Sequence, residues 1–492
     1  MANSYESSVR SSDWSGLYQG GDGYNINLKY AVDGRNFDVR GGTLCPLTAL
    51  KELPGKISGN RIGTLMALTQ RYDTSGADAV PAGTTYLVAA AGGGIYTRRL
   101  EDIEWTLRRD GMQSDVWDFV TYEVNSRNGE VTNAPVDVLL FTNAQDGMFC
   151  LYADDLSVAP IHIQPEGESE PIKFGIICRH AERIWGSGIT ADPDKLMYSA
   201  PYDPFNWEQN NEIPEDGAGD ILQPSWDGDK FVALRNYGSY LLAFKKETVW
   251  RVIGTNPGEY VMKEQFGGGT IIENSVAGYG DVMLMLGYDG LMSYDGVGVT
   301  AFQQDVVKKI MRRLSPGYAR TATAGVSGET YYLALALDGS ATNNAILEYS
   351  FSDRSFSLRE GVSVNSFLEW GGIMYALGGE NPAAVYTLGH GEDSGNALPM
   401  LWVSGWQDAG ARNITKSVFG VYLMSDTGME INVGVETEKK LKSKKVVLKP
   451  GKPKTVRVNV AGRYFRFRFE TTQKQWWNLS GGYQATFELD YD

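Results

Sequence analysis

The stretch that decides the fold is residues 183–207, R-I-W-G-S-G-I-T-A-D-P-D-K-L-M-Y-S-A-P-Y-D-P-F-N-W. It predicts a strand, a tight turn at 192–194, a second strand through 196–198, and a corner closed by a tryptophan. Aspartate caps its own backbone and proline fixes φ, which makes the Asp-Pro-Asp sequence a turn. Pro201 and Pro204 exclude a helix in the corner, and the final tryptophan offers a large apolar face for burial.

Weaker versions of this unit recur along the chain. Each is a short extended run, a polar turn that usually contains Gly or Asp-Gly, and a second run that usually contains tyrosine; the first runs begin at residues 86, 138, 183, 241, 282, 331 and 372. Their spacing is close to the roughly 40–50 residues of a four-stranded propeller blade. A hairpin unit with one apolar face is marginal alone and buries that face by stacking on neighbours. The pattern predicts an all-β fold with a β-propeller of six to eight blades, and a pair of β-sandwiches is the alternative.

Composition changes divide the chain into three parts. Residues 1–60 are polar and glycine-rich and are interpreted as an N-terminal arm with the first strands, whose aromatic residues pack on another surface such as a neighbouring subunit. Residues 61–395 hold the repeats and form the predicted β-propeller. Residues 396–492 contain seven closely spaced strand candidates, among them the alternating R-Y-F-R-F-R-F of 463–469, and are predicted to form a C-terminal β-sandwich. Residues 306–314 are the clearest amphipathic helix.

The sequence offers little for catalysis or metal binding. His162, His180 and His390 are far apart, no Cys-x-x-Cys pair occurs, and the nucleophile-elbow and phosphate-loop motifs are absent. The acidic residues at 101–102, at 154–155 and at Asp203 could in principle face a central channel as glycosidase carboxylates. We expect no catalytic residue, no metal site and no cofactor.

Charge is distributed unevenly. The net charge is −15, yet residues 439–468, a basic hairpin region, contain twelve basic residues and no acidic one, so the rest of the chain carries −27. This region would bind either nucleic acid through phosphate contacts or an acidic protein surface, and we favour protein docking. The predicted interface residues are Lys439, Lys440, Lys442, Lys444, Lys445, Arg463, Arg466 and Arg468.

Residues 183–207 resemble a signature of virion structural proteins from tailed bacteriophages. The signature is a strand of the type R-I/L-W-x-S-G followed by P-D-K/R-L-x-Y-S-A-P-x-D-P-x-N-W. Residues 244–250, 287–291 and 463–469 add weaker matches, whereas the first 180 residues match weakly. The motif residues that we single out are Arg183, Trp185, Tyr198, Asp203, Pro204 and Trp207.

The resemblance is to β-propeller proteins of the tail nozzle or tail hub, including DNA-stabilisation and plug proteins of short-tailed phages. It implies a structural protein, not an enzyme, that forms a homohexameric ring below the portal and adaptor. Such a ring extends the channel for double-stranded DNA without reading its sequence, retains packaged DNA until ejection and supports fibres or spikes. A propeller glycoside hydrolase or carbohydrate-binding protein is the alternative.

The expected location is the virion tail, after synthesis in the host cytoplasm. The N-terminus lacks the basic head and apolar core of a signal peptide, and the sequence has no apolar stretch of about 18 residues. We therefore expect no membrane span. An acidic body suits a DNA conduit, because a wall that attracted the phosphates would hold the genome back.

Overall fold

The computed structural model describes residues 6–57, 59–73, 80–127, 130–224, 229–267, 271–288 and 290–490, except for the side chains of 130–134. The described residues form 39 strands, one short α-helix and five 3₁₀ turns, and the strands pair antiparallel throughout. The predicted all-β fold is confirmed. None of the described helices is long and apolar enough to cross a membrane.

The first five strands lie in the N-terminal segment, residues 6–56. They are β1 (Glu6–Ser11), β2 (Ala31–Arg35), β3 (Phe37–Arg40), β4 (Thr43–Pro46) and β5 (Lys51–Lys56). Only β3 and β4 pair with each other, as a hairpin. The other three strands join sheets formed by distant parts of the chain.

Seven four-stranded sheets follow, and in the first six each strand pairs with the next along the chain. Sheet 1 consists of β6 (Ile62–Thr69), β7 (Thr85–Ala91), β8 (Gly94–Arg99) and β9 (Thr106–Arg109). Sheet 2 consists of β10 (Asp118–Arg127), β11 (Glu130–Asn143), β12 (Gly147–Tyr152) and β13 (Val158–Ile161). Sheet 3 consists of β14 (Ile176–His180), β15 (Arg183–Ser187), β16 (Lys195–Tyr198) and β17 (Gly219–Leu222).

The remaining sheets repeat this arrangement. Sheet 4 consists of β18 (Phe231–Tyr237), β19 (Tyr240–Lys245), β20 (Val249–Ile253) and β21 (Val261–Glu264). Sheet 5 consists of β22 (Ala277–Tyr279), β23 (Val282–Gly287), β24 (Gly290–Tyr294) and β25 (Val299–Ala301). Sheet 6 consists of β26 (Thr323–Ser327), β27 (Thr330–Leu335), β28 (Ala345–Ser350) and β29 (Ser355–Glu360). Sheet 7 consists of β30 (Val364–Trp370), β31 (Ile373–Gly378), β32 (Ala384–Leu388) and, from the N-terminal segment, β5.

The seven sheets form a closed series. A hydrophobic cluster lies between every two successive sheets, and one further cluster packs Tyr375 and Leu377 of sheet 7 against Leu65 and Leu87 of sheet 1. The seven run starts read from the sequence fall at or beside the second strand of each sheet. The architecture is therefore β-propeller-like.

The turns between the paired runs are tight. Gly147, which ends the Asp-Gly turn of sheet 2, has a φ of 90°, a value that favours glycine. The corresponding Asp289 of sheet 5 lies outside the described residues.

Residues after 396 form two sheets with the first strands of the chain. They contribute β33 (Met400–Ser404), β34 (Thr415–Met424), β35 (Met429–Thr437), β36 (Leu441–Leu448), β37 (Lys454–Gly462), β38 (Phe465–Thr471) and β39 (Ser480–Asp490). One sheet has the order β1-β39-β34-β37 and the other β2-β33-β38-β35-β36. We call these two sheets the C-terminal unit. Their apolar side chains share one cluster, in which the phenylalanines of β38 are fully buried.

The N-terminal segment is built into the same chain. Trp14 is 2% exposed, and its ring lies 5.0 Å from Trp402, 5.4 Å from Phe469 and 5.2 Å from Tyr483 in the C-terminal unit. The segment also covers β29, the outer strand of sheet 6, where the Leu17 amide donates to the Phe356 carbonyl over 2.8 Å. An outer strand covered in this way presents no free edge for pairing.

The single α-helix, α1 (Lys308–Met311), is shorter than the predicted 306–314. Val307 and Ile310 are buried in the cluster between sheets 5 and 6, as the apolar stripe predicts. The Gln19 side chain accepts hydrogen bonds from the backbone amides of Lys309 (3.0 Å) and Ile310 (3.2 Å). The helix is thereby tied to the N-terminal segment.

We expect Trp14→Ala to lower the free energy of unfolding by about 3–5 kcal/mol, because it opens a large cavity among aromatic rings. The measurement is urea unfolding followed by near-UV circular dichroism. Tyr24→Ala, in the same segment but at a side chain that is 44% exposed, is the matched control and should cost less than about 1 kcal/mol. Equal unfolding midpoints for both variants would contradict this account of the N-terminal segment.

Candidate interaction surfaces

The motif residue Arg183 holds together a corner of sheet 3. The corner loop, residues 199–218, joins β16 to β17. The buried Arg183 guanidinium donates hydrogen bonds to the carbonyl oxygens of Ser199 (2.7 Å), Gly217 (2.6 Å) and Glu215. Both ends of the loop are thus fixed to the start of β15, and three carbonyls that the turn leaves without strand partners are satisfied.

The aromatic side chains of the motif are buried on either side of the same corner. Trp185 is fully buried, with its ring 5.0 Å from that of Tyr198 and 5.1 Å from that of Tyr260, in the 3–4 loop of sheet 4. Trp207 donates its ring N–H to the Pro204 carbonyl over 3.0 Å and is 4% exposed. These residues serve the packing of sheet 3 against its neighbours.

Asp203 and Tyr202 form the outer part of the corner loop. The Asp203 carboxylate accepts a hydrogen bond from the Phe205 amide over 3.0 Å and so closes the turn. Tyr202, between two motif prolines, is 66% exposed. The motif therefore builds a rigid corner and presents one aromatic ring to solvent.

The basic region contains two edge strands. We call β36, β37 and their connecting residues 449–453 the basic hairpin; it joins the edge of one sheet of the C-terminal unit to the edge of the other. Of the predicted interface residues, the exposed ones are Lys439, Lys440, Lys442, Lys444, Lys445 and Arg463. Lys445 pairs with Glu430 over 2.6 Å, whereas the other five form no ion pair with described residues. The structure thus brings the five lysines together on β36 and the turn before it.

The last two predicted interface residues lie elsewhere on the C-terminal unit. Arg466 and Arg468 are partly buried on β38, within the sheet, and pair with Glu436 (2.8 Å) and Glu470 (2.6 Å). The Arg466 guanidinium also lies 4.5 Å from the centre of the Trp406 ring. Their charges are compensated inside the chain, so they differ from the exposed lysines.

The ends of the seven sheets define two faces of the ring. Strands of a meander alternate in direction, so the loops that join strands 1–2 and strands 3–4 lie at one end of a sheet. The loop joining strands 2–3 and the connection to the next sheet lie at the other end. These connections are as short as three residues, at 361–363, which keeps the equivalent ends on one side. We call the face formed by the 1–2 and 3–4 loops the hairpin face.

The hairpin face holds the acidic excess of the chain. Its described loops contain seventeen acidic residues and two basic ones, Arg71 and Arg354, a net charge of −15 that equals that of the whole chain. All other residues together hold 43 acidic and 43 basic side chains. The described parts of these loops are 70–73, 80–84, 100–105, 153–157, 181–182, 199–218, 238–239, 254–260, 280–281, 295–298, 328–329, 351–354 and 371–372.

The opposite face is more balanced, with fourteen acidic and nine basic residues in its described loops. Of the acidic residues on the hairpin face, only Asp154 and Asp155 form ion pairs with described residues, both with Arg127. The negative charges of that face are therefore left for solvent or a partner. Sequence reasoning found the acidic body but not its concentration at one end, which a count of charges in alternate turns would have indicated.

The carboxylates considered for glycoside hydrolysis all lie on this face. Residues 101–102, residues 154–155 and Asp203 belong to the 3–4 loops of sheets 1, 2 and 3. The first strands of successive sheets contact one another, so the 3–4 loops lie on the outer half of each sheet, away from the centre. These residues come from three separate sheets. No group of three or more His, Cys, Asp or Glu among the described residues is placed to hold a metal ion.

Sequence reasoning missed a buried charged cluster between sheets 6 and 7. His390 lies between two carboxylates, with Nδ1 3.0 Å from Asp38 and Nε2 3.1 Å from Glu348, and the Tyr332 hydroxyl is 2.9 Å from Nε2. The Arg359 guanidinium pairs with Glu348 over 2.6 Å. The residues come from β3, from sheet 6 and from the connection to the C-terminal unit, so no local pattern indicates the cluster.

The cluster forms the floor of a cleft of about 830 Å³ whose walls carry eight serine and threonine side chains. Burial alone would lower the pKa of His390, but the carboxylates of Glu348 and Asp38 outweigh it and raise that pKa above 6.5. Burial would raise the pKa of Glu348, yet Arg359 and His390 lower it. Burial likewise opposes the lowering of the Asp38 pKa by His390 and Arg40. Each charge on the floor is matched by another.

The comparisons with known proteins give no family. No protein-family model and no curated protein matches the chain. Among solved structures, the chain is similar to one described as "AfRom2 CNH domain", with 12% identity, a TM-score of 0.38, and coverage of 70% of this chain and 99% of that one. A chain of "Crystal Structure of Mitotic Checkpoint Complex" matches with 9% identity, a TM-score of 0.36, and coverage of 62% and 86%.

We expect Arg183→Met to lower the free energy of unfolding by about 3–5 kcal/mol, because it removes a buried charged donor and leaves three carbonyl oxygens without a hydrogen bond. The free energy of unfolding of Arg183→Lys should lie between those of Arg183→Met and the parent, since an ammonium keeps the charge without the planar arrangement of donors. Chemical denaturation measures both. If Arg183→Met unfolds like the parent, the guanidinium does not hold the corner loop.

The His390 cluster predicts a pH-dependent stability. Because folding raises the pKa of His390, its protonation contributes to the free energy of unfolding. This contribution is fully present below the unfolded-state pKa near 6.5 and is lost as the pH rises through the folded-state pKa. We expect His390→Gln to cost about 3 kcal/mol near pH 6 and less as the pH rises through the folded-state pKa of His390, because the parent then loses the histidine's charge. Urea midpoints of parent and variant across this range test it. A difference that does not change with pH would contradict a charged His390.

Proposed function

We propose that this chain is a structural component of a bacteriophage tail, of the nozzle or hub type, that assembles into a homohexameric ring. In this proposal the seven sheets are the blades of a seven-bladed propeller and the C-terminal unit is a β-sandwich. The ring extends the DNA channel below the portal and adaptor, retains packaged DNA and supports fibres or spikes. The support begins with residues 183–207, which resemble the phage signature and build the rigid corner of sheet 3.

The observation that carries the proposal is the separation of charge between two exposed surfaces. The hairpin face holds a net charge of −15, and the basic hairpin lies on a different unit with lysines that, except for Lys445, form no ion pair with described residues. Such surfaces suit repeated contacts between identical copies. An acidic wall also suits a passage for DNA, because it does not attract the phosphate backbone.

The experiment is to introduce an early stop codon into the gene in the phage that carries it and to examine the particles made in a non-suppressing host. We expect heads that package DNA and then lose it, because the end of the channel is missing. Cryo-electron microscopy of parental particles should locate the ring below the portal. Particles that keep their DNA and infect without the chain would overturn the proposal.

A glycan assay separates this function from the alternative of a propeller glycoside hydrolase. The hydroxyl-lined cleft is the observation that favours a carbohydrate, yet Asp38 and Glu348 on its floor are both engaged by His390. We therefore expect no turnover from the purified chain on a panel of neutral and charged polysaccharides. Turnover that a single carboxylate substitution abolishes would favour the hydrolase.

A further inference from the structure

We propose that the corner loop of one copy binds the basic hairpin of a second copy, in a head-to-tail contact. The inference deepens the proposed ring, and it relies on that proposal only for the closure of the contacts into a hexamer. The acceptor is a defined part of the hairpin face, and the donor is one protruding element of the C-terminal unit. Each side of the contact has a charge that the same chain leaves uncompensated.

The corner loop is the most acidic loop of the hairpin face. It contains five acidic residues and no basic one, and none of the five forms an ion pair with described residues. Two apolar side chains stand among these charges, Tyr202 at 66% exposure and Ile213 at 49%. The loop thus combines negative charge with exposed apolar area, which is the composition of a docking site and not of a merely soluble turn.

The loop is also held in place before any partner arrives. Arg183 fixes both of its ends through three carbonyls, and Trp207 anchors its middle in the core. A surface that is ordered in advance loses less conformational entropy on association. The motif that builds the corner therefore also presents the acceptor.

The basic hairpin has the complementary composition. Lys444, Lys449 and Lys452 are exposed and form no ion pair with described residues, and the hairpin contains no acidic residue. Leu441 and Val447 on β36 are 48% and 58% exposed. Positive charges with interspersed apolar side chains match the acidic loop in charge and in character.

The two surfaces are separated within one chain. The C-terminal unit packs on sheets 5 and 6 through the cluster that contains α1, whereas the corner loop belongs to sheet 3. No ion pair among the described residues joins the hairpin to the loop. Two different surfaces that meet between copies form a heterologous contact, and such contacts build rings or open chains instead of closed dimers.

The experiment compares three variants of the full chain by sedimentation velocity at low and high ionic strength. The hairpin variant is Lys444→Glu, Lys449→Glu and Lys452→Glu; the loop variant is Glu212→Lys, Glu215→Lys and Asp216→Lys. The control reverses three exposed acidic residues in loops of the opposite face, Asp110→Lys, Glu170→Lys and Glu247→Lys. All nine positions are exposed, so circular dichroism should show parental folding.

We expect the parent and the control to associate at low ionic strength and to dissociate as salt screens the charges. Each interface variant alone should need a concentration about 100-fold higher to associate, because its contacts become repulsive. A mixture of the two interface variants should associate again, since the reversed hairpin then meets the reversed loop. A monomeric parent at low salt, or a mixture no better than its components, would overturn the proposal.

A second measurement uses the unmodified chain and so does not depend on the folding of variants. Carbodiimide crosslinking of mixed ¹⁵N-labelled and unlabelled copies should join Lys449 or Lys452 to Glu212 or Glu215 between copies. Crosslinks found only within one copy would overturn the proposal. Copies that join through these surfaces but are absent from virions would refute the tail function alone, and copies that form a ring in the tail without these crosslinks would refute this contact alone.

Discussion

Pairing of β5 with β32 is the contact on which the ring of sheets depends. A four-stranded meander is marginal by itself and needs a neighbour on each apolar face. Sheet 7 obtains only three strands from its own part of the chain, and residues 51–56 supply the fourth. Its Tyr375 and Leu377 then pack against sheet 1, so every sheet has two neighbours. Without this closure, sheets 1 and 7 would each expose an apolar face.

The local pattern predicted what is local in the fold. Seven hairpin units could be placed from runs and turns, and the alternation of 463–469 placed phenylalanines inside and arginines outside. It could not place β1, β2 and β5, because their partners lie more than 300 residues away and strand pairing over such distances leaves no local periodicity. The predicted helix at 306–314 is shorter in the structure, where Leu314 forms an isolated β-bridge with Leu337 and the Ser315 amide donates to the Ala336 carbonyl.

The two candidate surfaces differ in how much of them the sequence contains. A run of lysines around 442 is visible directly, and in the structure it stays exposed. Arg466 and Arg468 are among the twelve basic residues of 439–468, yet both are paired in the structure. Arg466 pairs with Glu436 on the neighbouring strand β35, and Arg468 pairs with Glu470 on β38 itself. Net charge along a sequence therefore overstates the free positive surface. For the acidic residues, the net charge along the sequence hides how they gather at one face, because the loops that meet there come from seven distant segments.

Buried charges recur at the joins between parts of this fold. Lys245 of sheet 4 is fully buried and lies 2.5 Å from Asp194 of sheet 3, and Arg359 of sheet 6 is buried against Glu348 while it also donates to the Thr48 carbonyl. A buried pair adds little net stability, since desolvation offsets the attraction, but a mismatch costs about 3–5 kcal/mol. Seven sheets of similar apolar character could stack in wrong registers at small cost. Charged partners at single positions penalise those arrangements, so they make the packing specific where apolar contacts do not.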